Sequence, residues 1–463
     1  MELRQKSDIP VYEPYVTRIE EITGKIYASS KWFNSVSVEL NDQQLSEVEQ
    51  LDFVKSIESV VLKGEQMALP PLSANIGALK QIGVEKFEKA GLTGEGVKIG
   101  VIDGMFYEAN KNPFLKSVFD NNRLLGTRNF VDQSGEDLYG RSEATEESDR
   151  HGTSVLSMIA GYDSQSHQRK GFATNAMFYL ARTEDSKSEY RGEEDYWVSA
   201  LEWLDSLGVR LVHTSLGYNH GYDNPEENYS PDQMNGLISR VAKAANIGVA
   251  EKGMIIVASA GNNGNDRNWR VVSTPGDSEN VITVGATNQY NIKTGYSAIG
   301  TDMPSNIKPN VACFSEGGTS LAAPVITGML ALLLEKNPYL VASTAREALE
   351  KSAHLYPYAN NYLGYGVPRA DALLKYLKKS EVKYKNRTRL YANGERFVFL
   401  KGKKYSKHPF VVFHKTNETS VVEQTIQLPV NDGLVIERVG DAQYTTLASD
   451  YRVIEIIWER SDP

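Results

Sequence analysis

Apolar and polar residues follow three different patterns along the chain, and the changes divide it into three regions. In the first region, Ser35 to Leu40 alternates like a half-buried strand, and Asp42 to Gln50 has helical spacing. Phe53 to Val61 returns to strand character. These elements predict a small α+β module over residues 1–72. The glycine and prolines of Lys63 to Pro71 predict an exposed linker at its end.

The second region, residues 73–379, alternates apolar strands with helices. This order predicts an α/β fold with a doubly wound, mostly parallel sheet that is covered by helices on both faces. In such a sheet, ligands bind outside the carboxyl ends of the strands. The predicted strands are Val97–Ile102, Met177–Ala181, Val209–His213, Met254–Ser259 and Val281–Val284. The predicted helices are His151–Ala160, Glu194–Ser206, Gln233–Lys252, Ser320–Glu335 and Ser343–Ser352.

The most apolar predicted helix directly follows Gly317-Gly318-Thr319. Nearly every residue from Leu321 to Leu334 is small or apolar, which predicts a helix buried on all sides. Pro324 is compatible with the first turn, where backbone N–H groups lack intrahelical acceptors. The same N–H groups and the helix dipole would stabilise an oxyanion beside Ser320. Ser320 is therefore a candidate nucleophile, although this segment alone is equally compatible with a loop and an N-cap.

The third region, residues 380–463, consists of short β-rich runs separated by turn signals such as Asn393-Gly394. It predicts a C-terminal β module of unknown role. Lysine and arginine dominate its first part, and a solvated face explains them better than attachment to a surface. The runs are Phe397–Leu400, Phe410–Phe413 and Arg452–Ile457.

Composition narrows the classes of function. The formal net charge of the 463 residues is -9, which argues against general binding of nucleic acid. Cys313 is the only cysteine, so an intrachain disulfide is excluded. No uninterrupted run of 18 apolar residues is present, and we expect no transmembrane segment. The first residues lack the apolar segment of a secretory signal, which indicates either a cytoplasmic protein or a trimmed start.

Three polar residues stand where predicted strands end or helices begin. Asp103 ends an apolar strand, His151 opens an amphipathic helix, and Asn262 follows a buried strand and a glycine. Taken singly, such residues are more often structural than functional. Their order along the chain, Asp, His, Asn and then Ser320, is the order of one known protease family.

The chain resembles the subtilisin-like serine proteases, or subtilases, over residues 79–377. The resemblance implies that Ser320 attacks the scissile carbonyl, that His151 takes and later returns its proton, and that Asp103 holds the imidazole. It also implies that the Asn262 side chain and the Ser320 backbone N–H bind the oxyanion. The matching segments are Val101–Gly104, His151–Val155, Thr214–Gly217, Ser259–Gly264, Ile307–Val311, Gly318–Pro324 and Gly364–Gly366.

The resemblance further implies that protein or peptide substrates bind along two backbone segments, and that no cofactor is required. An acidic loop before His151 is rich in oxygen ligands but lacks a known calcium-loop spacing, so structural calcium stays unassigned and no metal site is predicted. The implied substrate-binding residues are Ser215, Leu216, Gly217, Ala260 and Gly261. The acids of the loop are Glu143, Glu146, Glu147 and Asp149.

Residues 1–72 resemble the later part of the family's inhibitory propeptide. We expect Trp32-Phe33 and Val36 to Leu40 to pack on the protease, and Glu65 to Leu69 to lie along the active-site edge as an added strand. A cut between Leu69 and Ser73 would release the module. The partial match indicates a trimmed start, so we expect a secreted or periplasmic enzyme.

Two features depart from the family pattern or leave alternatives open. The connection from Asn310 to Ser320 is shorter than expected for a subtilase. Glu184 to Asp195 is either a solvated acidic loop or a surface that favours a basic substrate side chain.

Two other functions compete with the protease: an inactive or weakly active binding protein on the same fold, and a serine esterase. Serine esterases of the α/β-hydrolase class require the motif Gly-x-Ser-x-Gly. Here Ala322 occupies the position of the last glycine, which argues against an esterase.

Overall fold

The computed structural model describes residues 7, 9–57, 76–132, 138–140, 146–185, 190–301, 306–377, 387–400, 409–429, 433–449 and 452–459. The α-helices are α1 (Glu13–Thr23), α2 (Asp42–Glu49), α3 (Ile76–Ile82), α4 (Val84–Lys89), α5 (Lys116–Asp120), α6 (Glu146–Asp149), α7 (His151–Ala160), α8 (Gly192–Ser206), α9 (Arg240–Ala250), α10 (Ala323–Lys336), α11 (Ala342–Ser352) and α12 (Ala370–Leu377). The strands up to the end of the central sheet are β1 (Ala28–Ser30), β2 (Ser35–Ser37), β3 (Lys98–Asp103), β4 (Leu124–Asn129), β5 (Tyr162–Asp163), β6 (Gln168–Arg169), β7 (Met177–Arg182), β8 (Leu211–Thr214), β9 (Ile255–Ser259), β10 (Ile282–Thr287) and β11 (Val311–Phe314). The remaining strands are β12 (Arg387–Asn393), β13 (Arg396–Leu400), β14 (Phe410–Lys415), β15 (Val421–Gln427), β16 (Gly433–Glu437), β17 (Tyr444–Ser449) and β18 (Arg452–Glu459).

A seven-stranded sheet forms the centre of the molecule. Its order is β11-β10-β9-β8-β3-β7-β4, and every neighbouring pair is parallel. The predicted parallel sheet is therefore confirmed, and the five predicted strands correspond to β3, β7, β8, β9 and β10. The sequence patterns did not reveal β4 and β11 at its two edges. Because β3 is a central strand, its last residue, Asp103, lies in the middle of the carboxyl edge of the sheet.

Helices cover the sheet on both faces, and alternate residues of the inner strands β3, β7, β8 and β9 enter different apolar clusters. On β9, Ile255 and Val257 pack with residues of α7 and α10, whereas Ile256 and Ala258 pack with residues of α8 and α9. Burial on both faces explains why these strands are continuous apolar runs rather than alternating ones.

α10 is the central helix of one face, and all its residues from Ala323 to Leu334 are buried. Pro324 lies in its first turn, as predicted. The helix begins at Ala323 and not at Ser320, because Thr319–Leu321 form a separate 3₁₀ turn. By composition the window Thr319–Lys336 is long and apolar enough to cross a membrane, with a mean hydropathy of 1.3, although the sequence analysis expected no such segment. The protein buries 83% of this window, which is typical of a core helix.

The helix predicted from Gln233 also begins later than expected. Pro231–Gln233 form a 3₁₀ turn, Gly236 has a φ of +76°, and α9 begins only at Arg240. A left-handed glycine in this position interrupts a helix, so the predicted helix was too long at its start.

The N-terminal module packs on α8 through β1 and the residues that follow it. Trp32 is buried among residues of α8 and α9, and Phe33 packs against the same cluster, as the sequence predicted. The Ser30 hydroxyl donates to the Glu202 carboxylate of α8. The backbone N–H groups of Lys31 and Trp32 donate to the same carboxylate at 3.1 and 3.2 Å. A single carboxylate thus accepts three hydrogen bonds from the module.

Other predictions for this module were less accurate. The strand predicted over Phe53 to Val61 is wrong for residues 53–57, which are turn and irregular structure, and residues 58–61 lie outside the described part. β2 covers only Ser35–Ser37 of the strand predicted to continue to Leu40. α1, which packs on α2, was not predicted. The linker, the added strand at Glu65 to Leu69 and the cut site also lie outside the described residues.

The predicted C-terminal β module is confirmed as a strand-rich unit that packs on the region of the central sheet. Its five-stranded sheet has the order β12-β18-β17-β14-β15. Phe413 shares an apolar cluster with Leu355, which lies after α11. Arg387 donates to the carbonyl oxygens of Tyr356 and His354 at 2.5 and 2.8 Å, so this member of the basic run is not part of a solvated face.

Candidate active site

Asp103 and His151 meet at the carboxyl end of β3. Asp103 Oδ1 lies 2.6 Å from His151 Nδ1 and accepts the backbone N–H of Gly104 at 2.9 Å. The Asp103 side chain is fully buried, and the His151 side chain is 13% exposed. Because a carboxylate accepts hydrogen bonds, Nδ1 of His151 is the donor in this contact. In the neutral ring, Nε2 is then the nitrogen that can take a proton.

Opposing effects set the pKa of His151. Burial favours the neutral ring and by itself lowers this pKa. The Asp103 carboxylate, through its charge and its hydrogen bond, and more weakly the charge of Glu184 raise it, and the net result is a pKa above the ordinary value. His151 therefore loses its proton, and becomes a proton acceptor, at a higher pH than a typical exposed histidine does.

Ser320 lies in the 3₁₀ turn before α10, and α7, which begins at His151, packs on this turn. Ser320 Oγ donates to the carbonyl oxygen of Ser215 at 3.2 Å. In return, Ser215 Oγ donates to the carbonyl oxygen of Ser320 at 2.7 Å. The turn that carries Ser320, the proposed nucleophile, is thus tied to the segment that follows β8. In substrate-free enzymes, hydrogen bonds between catalytic groups are often long or poorly aligned, and they tighten when substrate binds.

The Asn262 side chain faces the same turn, and Thr319 determines its orientation. Asn262 Oδ1 accepts the backbone N–H of Thr319 at 2.9 Å and the Thr319 hydroxyl at 3.1 Å. Both donors require an oxygen at this position, so the amide nitrogen Nδ2 points the other way, past Gly318. Gly318 has a φ of +81°, and a Cβ on it would lie 3.1 Å from Nδ2. Glycine therefore keeps the space beside this donor open.

The residues predicted to bind substrate directly follow two neighbouring strands. Ser215, Leu216 and Gly217 come after β8, and Ala260 and Gly261 come after β9. Both segments lie at the same edge of the sheet as Asp103. Thr319 lies in one of the segments that match the family, but the resemblance assigned it no role. In the structure, Thr319 lies between Asn262 and Gly261, and its hydroxyl oxygen accepts the Gly261 N–H at 3.0 Å. The sequence alone does not contain this position.

The acidic segment Glu184 to Asp195 is not a solvated loop in the part that the structure describes, and this interpretation is corrected. The Tyr218 hydroxyl donates to Glu184 at 2.8 Å, and the Tyr229 hydroxyl donates to Glu194 at 2.7 Å. Burial raises the pKa of each of these two glutamates to about 7, although the tyrosine hydrogen bonds oppose it. The buried acids of the segment are Glu184, Glu193, Glu194 and Asp195.

A bound metal has no evident place in the described residues. In this part of the chain, no group of three or more His, Cys, Asp and Glu side chains is arranged to hold a metal ion. Of the acidic loop considered for calcium, Asp149 is buried, Glu143 lies outside the described residues, and the side chains of Glu146 and Glu147 are not described. Calcium therefore stays unassigned.

Comparison with family models identifies the protein class. The model of the Subtilase family matches residues 94–366, which is more than half of the chain. The chain belongs to the subtilase family. This subtilase is a serine endopeptidase, and it carries a propeptide domain: the model of the Peptidase S8 propeptide domain, Bacteroidota, matches residues 2–70. The boundaries at residues 72 and 379 stay predictions.

Curated relatives and solved structures agree with this assignment. Subtilisin NAT of Bacillus subtilis subsp. natto is 25% identical over 357 residues, covering 75% of this chain and 82% of that protein. Subtilisin DY of Bacillus licheniformis is 27% identical over 281 residues, covering 59% and 89%. The CspB protease of Clostridium perfringens has a TM-score of 0.52 at 16% identity and covers 66% of this chain and 99% of its own. The MycP3 protease of the type VII (ESX-3) secretion system has a TM-score of 0.50 at 20% identity and covers 68% and 92%. The two structures show the fold.

Proposed function

We propose that this subtilase cleaves peptide bonds of unfolded proteins and peptides by nucleophilic attack from Ser320. His151 Nε2 accepts the Ser320 proton and later delivers it to the leaving amine, while Asp103 orients the imidazole and stabilises its charged form. The 2.6 Å contact between Asp103 and His151 is the observation that supports this most strongly. This contact engages Nδ1 and so leaves Nε2 of His151 to act as the base. His151 begins α7, and α7 packs on the turn that carries Ser320.

In the proposed mechanism, Asn262 Nδ2 and the backbone N–H of Ser320 bind the oxyanion of the tetrahedral intermediate. The two hydrogen bonds from Thr319 to Asn262 Oδ1 support this role, because they hold the donor in place before charge develops. Preorganised donors of this kind need no rearrangement during the reaction. The substrate chain binds along the backbone of Ser215, Leu216 and Gly217 on one side and of Ala260 and Gly261 on the other. The reaction requires no cofactor.

The proposal includes an inhibitory and folding role for residues 1–72. A parallel sheet pairs strands that are distant in sequence and therefore folds slowly, and a module that docks on α8 could lower this barrier. The hydrogen bonds to Glu202 and the burial of Trp32 support stable docking. Release follows a cut between Leu69 and Ser73. Export to the periplasm or the medium is also proposed, from the family resemblance alone.

The test compares the wild-type chain with Ser320→Ala after parallel expression. Intact masses before and after incubation report self-cleavage, and a fluorogenic peptide together with casein reports hydrolysis. We expect the wild type to lose its N-terminal module and become active at neutral to mildly alkaline pH, and Ser320→Ala to stay intact and inactive. Full peptide hydrolysis by Ser320→Ala, or none by the processed wild type, would contradict the proposal. An uncut but active wild type would contradict the inhibitory role only.

A further inference from the structure

His213 is a fully buried histidine beside the nucleophile turn, and the mechanism above does not use it. It lies on β8, next to Val101 of β3 and Val257 of β9. Its Nε2 lies 2.8 Å from Ser215 Oγ, and its Nδ1 lies 2.8 Å from Thr327 Oγ1 on α10. A chain of polar contacts therefore runs from the core helix through His213 to the turn that carries the nucleophile.

The direction of these hydrogen bonds follows from the last contact of the series, between Ser215 and Ser320. Ser215 Oγ lies 2.7 Å from the Ser320 carbonyl oxygen, and since a carbonyl cannot donate, Ser215 must do so. A hydroxyl has a single proton, so Ser215 Oγ accepts in its contact with His213. Nε2 of His213 therefore carries a proton. In the neutral ring, Nδ1 is then bare and accepts from the Thr327 hydroxyl.

The opposite tautomer fails at one contact. If Nδ1 donated to Thr327, Thr327 could donate to the Ala323 carbonyl at 3.3 Å, and Ser215 would donate to the bare Nε2. The oxygens of Ser215 and Ser320 would then face each other at 2.7 Å without a proton between them, which is repulsive. A charged ring would satisfy every contact, but burial, together with the nearby positive charge of His151, lowers the pKa of His213 to about 3.

We propose, on the basis of the function proposed above, that His213 in its Nε2–H tautomer is a positioning residue for Ser320. Thr327 donates to His213, His213 donates to Ser215, and Ser215 donates to the Ser320 carbonyl oxygen. The Thr327 hydroxyl can also reach the Ala323 carbonyl at 3.3 Å, but the Nε2–H of His213 and the hydroxyl of Ser215 each have one acceptor in the series, and the Ser320 carbonyl oxygen fixes the direction of both. The relay holds the nucleophile turn in one arrangement before substrate binds.

A positioning role predicts a specific kinetic pattern. His213 is buried and touches no substrate, and the substrate segment keeps other backbone bonds, such as Tyr218 N–H to the Thr274 carbonyl at 2.9 Å. Loss of His213 should therefore lower kcat and leave KM nearly unchanged, because it alters the reacting groups and not ground-state binding. Loss of a merely structural histidine would lower the yield of folded enzyme without changing kcat per active site.

Kinetics on titrated enzyme distinguishes these roles. Active sites are counted with a fluorophosphonate, and kcat and KM for a peptide are measured per counted site. We expect His213→Phe to lower kcat about tenfold or more with KM within about threefold. His213→Gln, whose amide nitrogen can donate to Ser215, should recover most of the loss. The matched control is His414→Phe, which removes a buried histidine that bonds Thr445 at 3.0 Å in the C-terminal module and should leave kcat per site unchanged.

An unchanged kcat per site in His213→Phe, or equal losses in His213→Phe and His213→Gln, would overturn the inference. A second measurement does not depend on the folding of a His213 variant. In the full chain with Ser320→Ala, which keeps the backbone carbonyl, ¹⁵N NMR of labelled histidines reports the tautomer of His213. We expect a proton on Nε2 at neutral pH; a proton on Nδ1, or on both nitrogens, would overturn the relay. If wild-type enzyme takes no label at Ser320, the proposed function itself fails and the positioning role fails with it.

Discussion

Glu202 of α8 is the residue on which docking of the N-terminal module should depend most. Its carboxylate accepts the Ser30 hydroxyl and the backbone N–H groups of Lys31 and Trp32, and the side chain is buried. A hydrogen bond to a charged group contributes about 1.5–3 kcal/mol, and bonds that share one carboxylate are not additive. We therefore expect Glu202→Ala to weaken docking by roughly 3 kcal/mol, which is about 100-fold in the docking equilibrium.

Hydrogen exchange of the intact chain measures this change. In a Ser320→Ala background, which prevents self-cleavage, the amides of Lys31 and Trp32 should exchange about 100-fold faster in Glu202→Ala, whereas amides of the central sheet should be unchanged. The matched control is Asp205→Ala, which removes a partly exposed ion pair with Lys31 at 3.9 Å and should cost at most about 1 kcal/mol. Equal exchange rates at Lys31 and Trp32 in the two variants would refute the reasoning.

Four further predictions concern the proposed catalytic residues and Glu184. Ser320→Ala and His151→Ala should each lose about as much kcat as the double variant, about 10⁶-fold, because the residues act as a unit; additive losses would contradict this. Asn262→Ala should lower kcat about 10²- to 10³-fold with little change in KM, and a loss confined to KM would argue against an oxyanion role. Activity should fall as the pH drops through the raised pKa of His151, since only the neutral ring accepts a proton. Glu184→Gln removes a charge that raises this pKa, so the acidic limb of the kcat/KM profile should move to lower pH; an unmoved or higher midpoint would be the contrary result.

Elements that are buried on every side could be predicted from the sequence, because their composition alone distinguishes them. Nearly every residue from Leu321 to Leu334 is small or apolar, and α10 occupies nearly the same residues. The edge strands lacked such a signal. β4, Leu124–Asn129, carries glycine and polar residues on an edge strand, and β11, Val311–Phe314, is only four residues long. Short and partly polar segments become strands through their neighbours in the sheet, which local patterns do not contain.

The candidate active site, too, could be predicted only in part from local sequence patterns. The order of Asp103, His151, Asn262 and Ser320 could be recognised because each stands next to a strong strand or helix signal. The burial of Glu184 could not, because it depends on the hydroxyl of Tyr218, which lies 34 residues away in the chain. An acidic segment is normally solvated, and long-range partners reverse this expectation only in the folded protein.

In the proposed mechanism, Ser320 is the nucleophile and His151 activates it. Labelling of the processed enzyme with a fluorophosphonate, followed by peptide mapping, tests both parts. We predict one labelled peptide, which contains Ser320, and a labelling rate that falls as the pH drops through the His151 pKa. The label should be absent in Ser320→Ala and strongly slowed in His151→Ala. Label on a different serine, or labelling of Ser320 in His151→Ala at the wild-type rate, would contradict the mechanism.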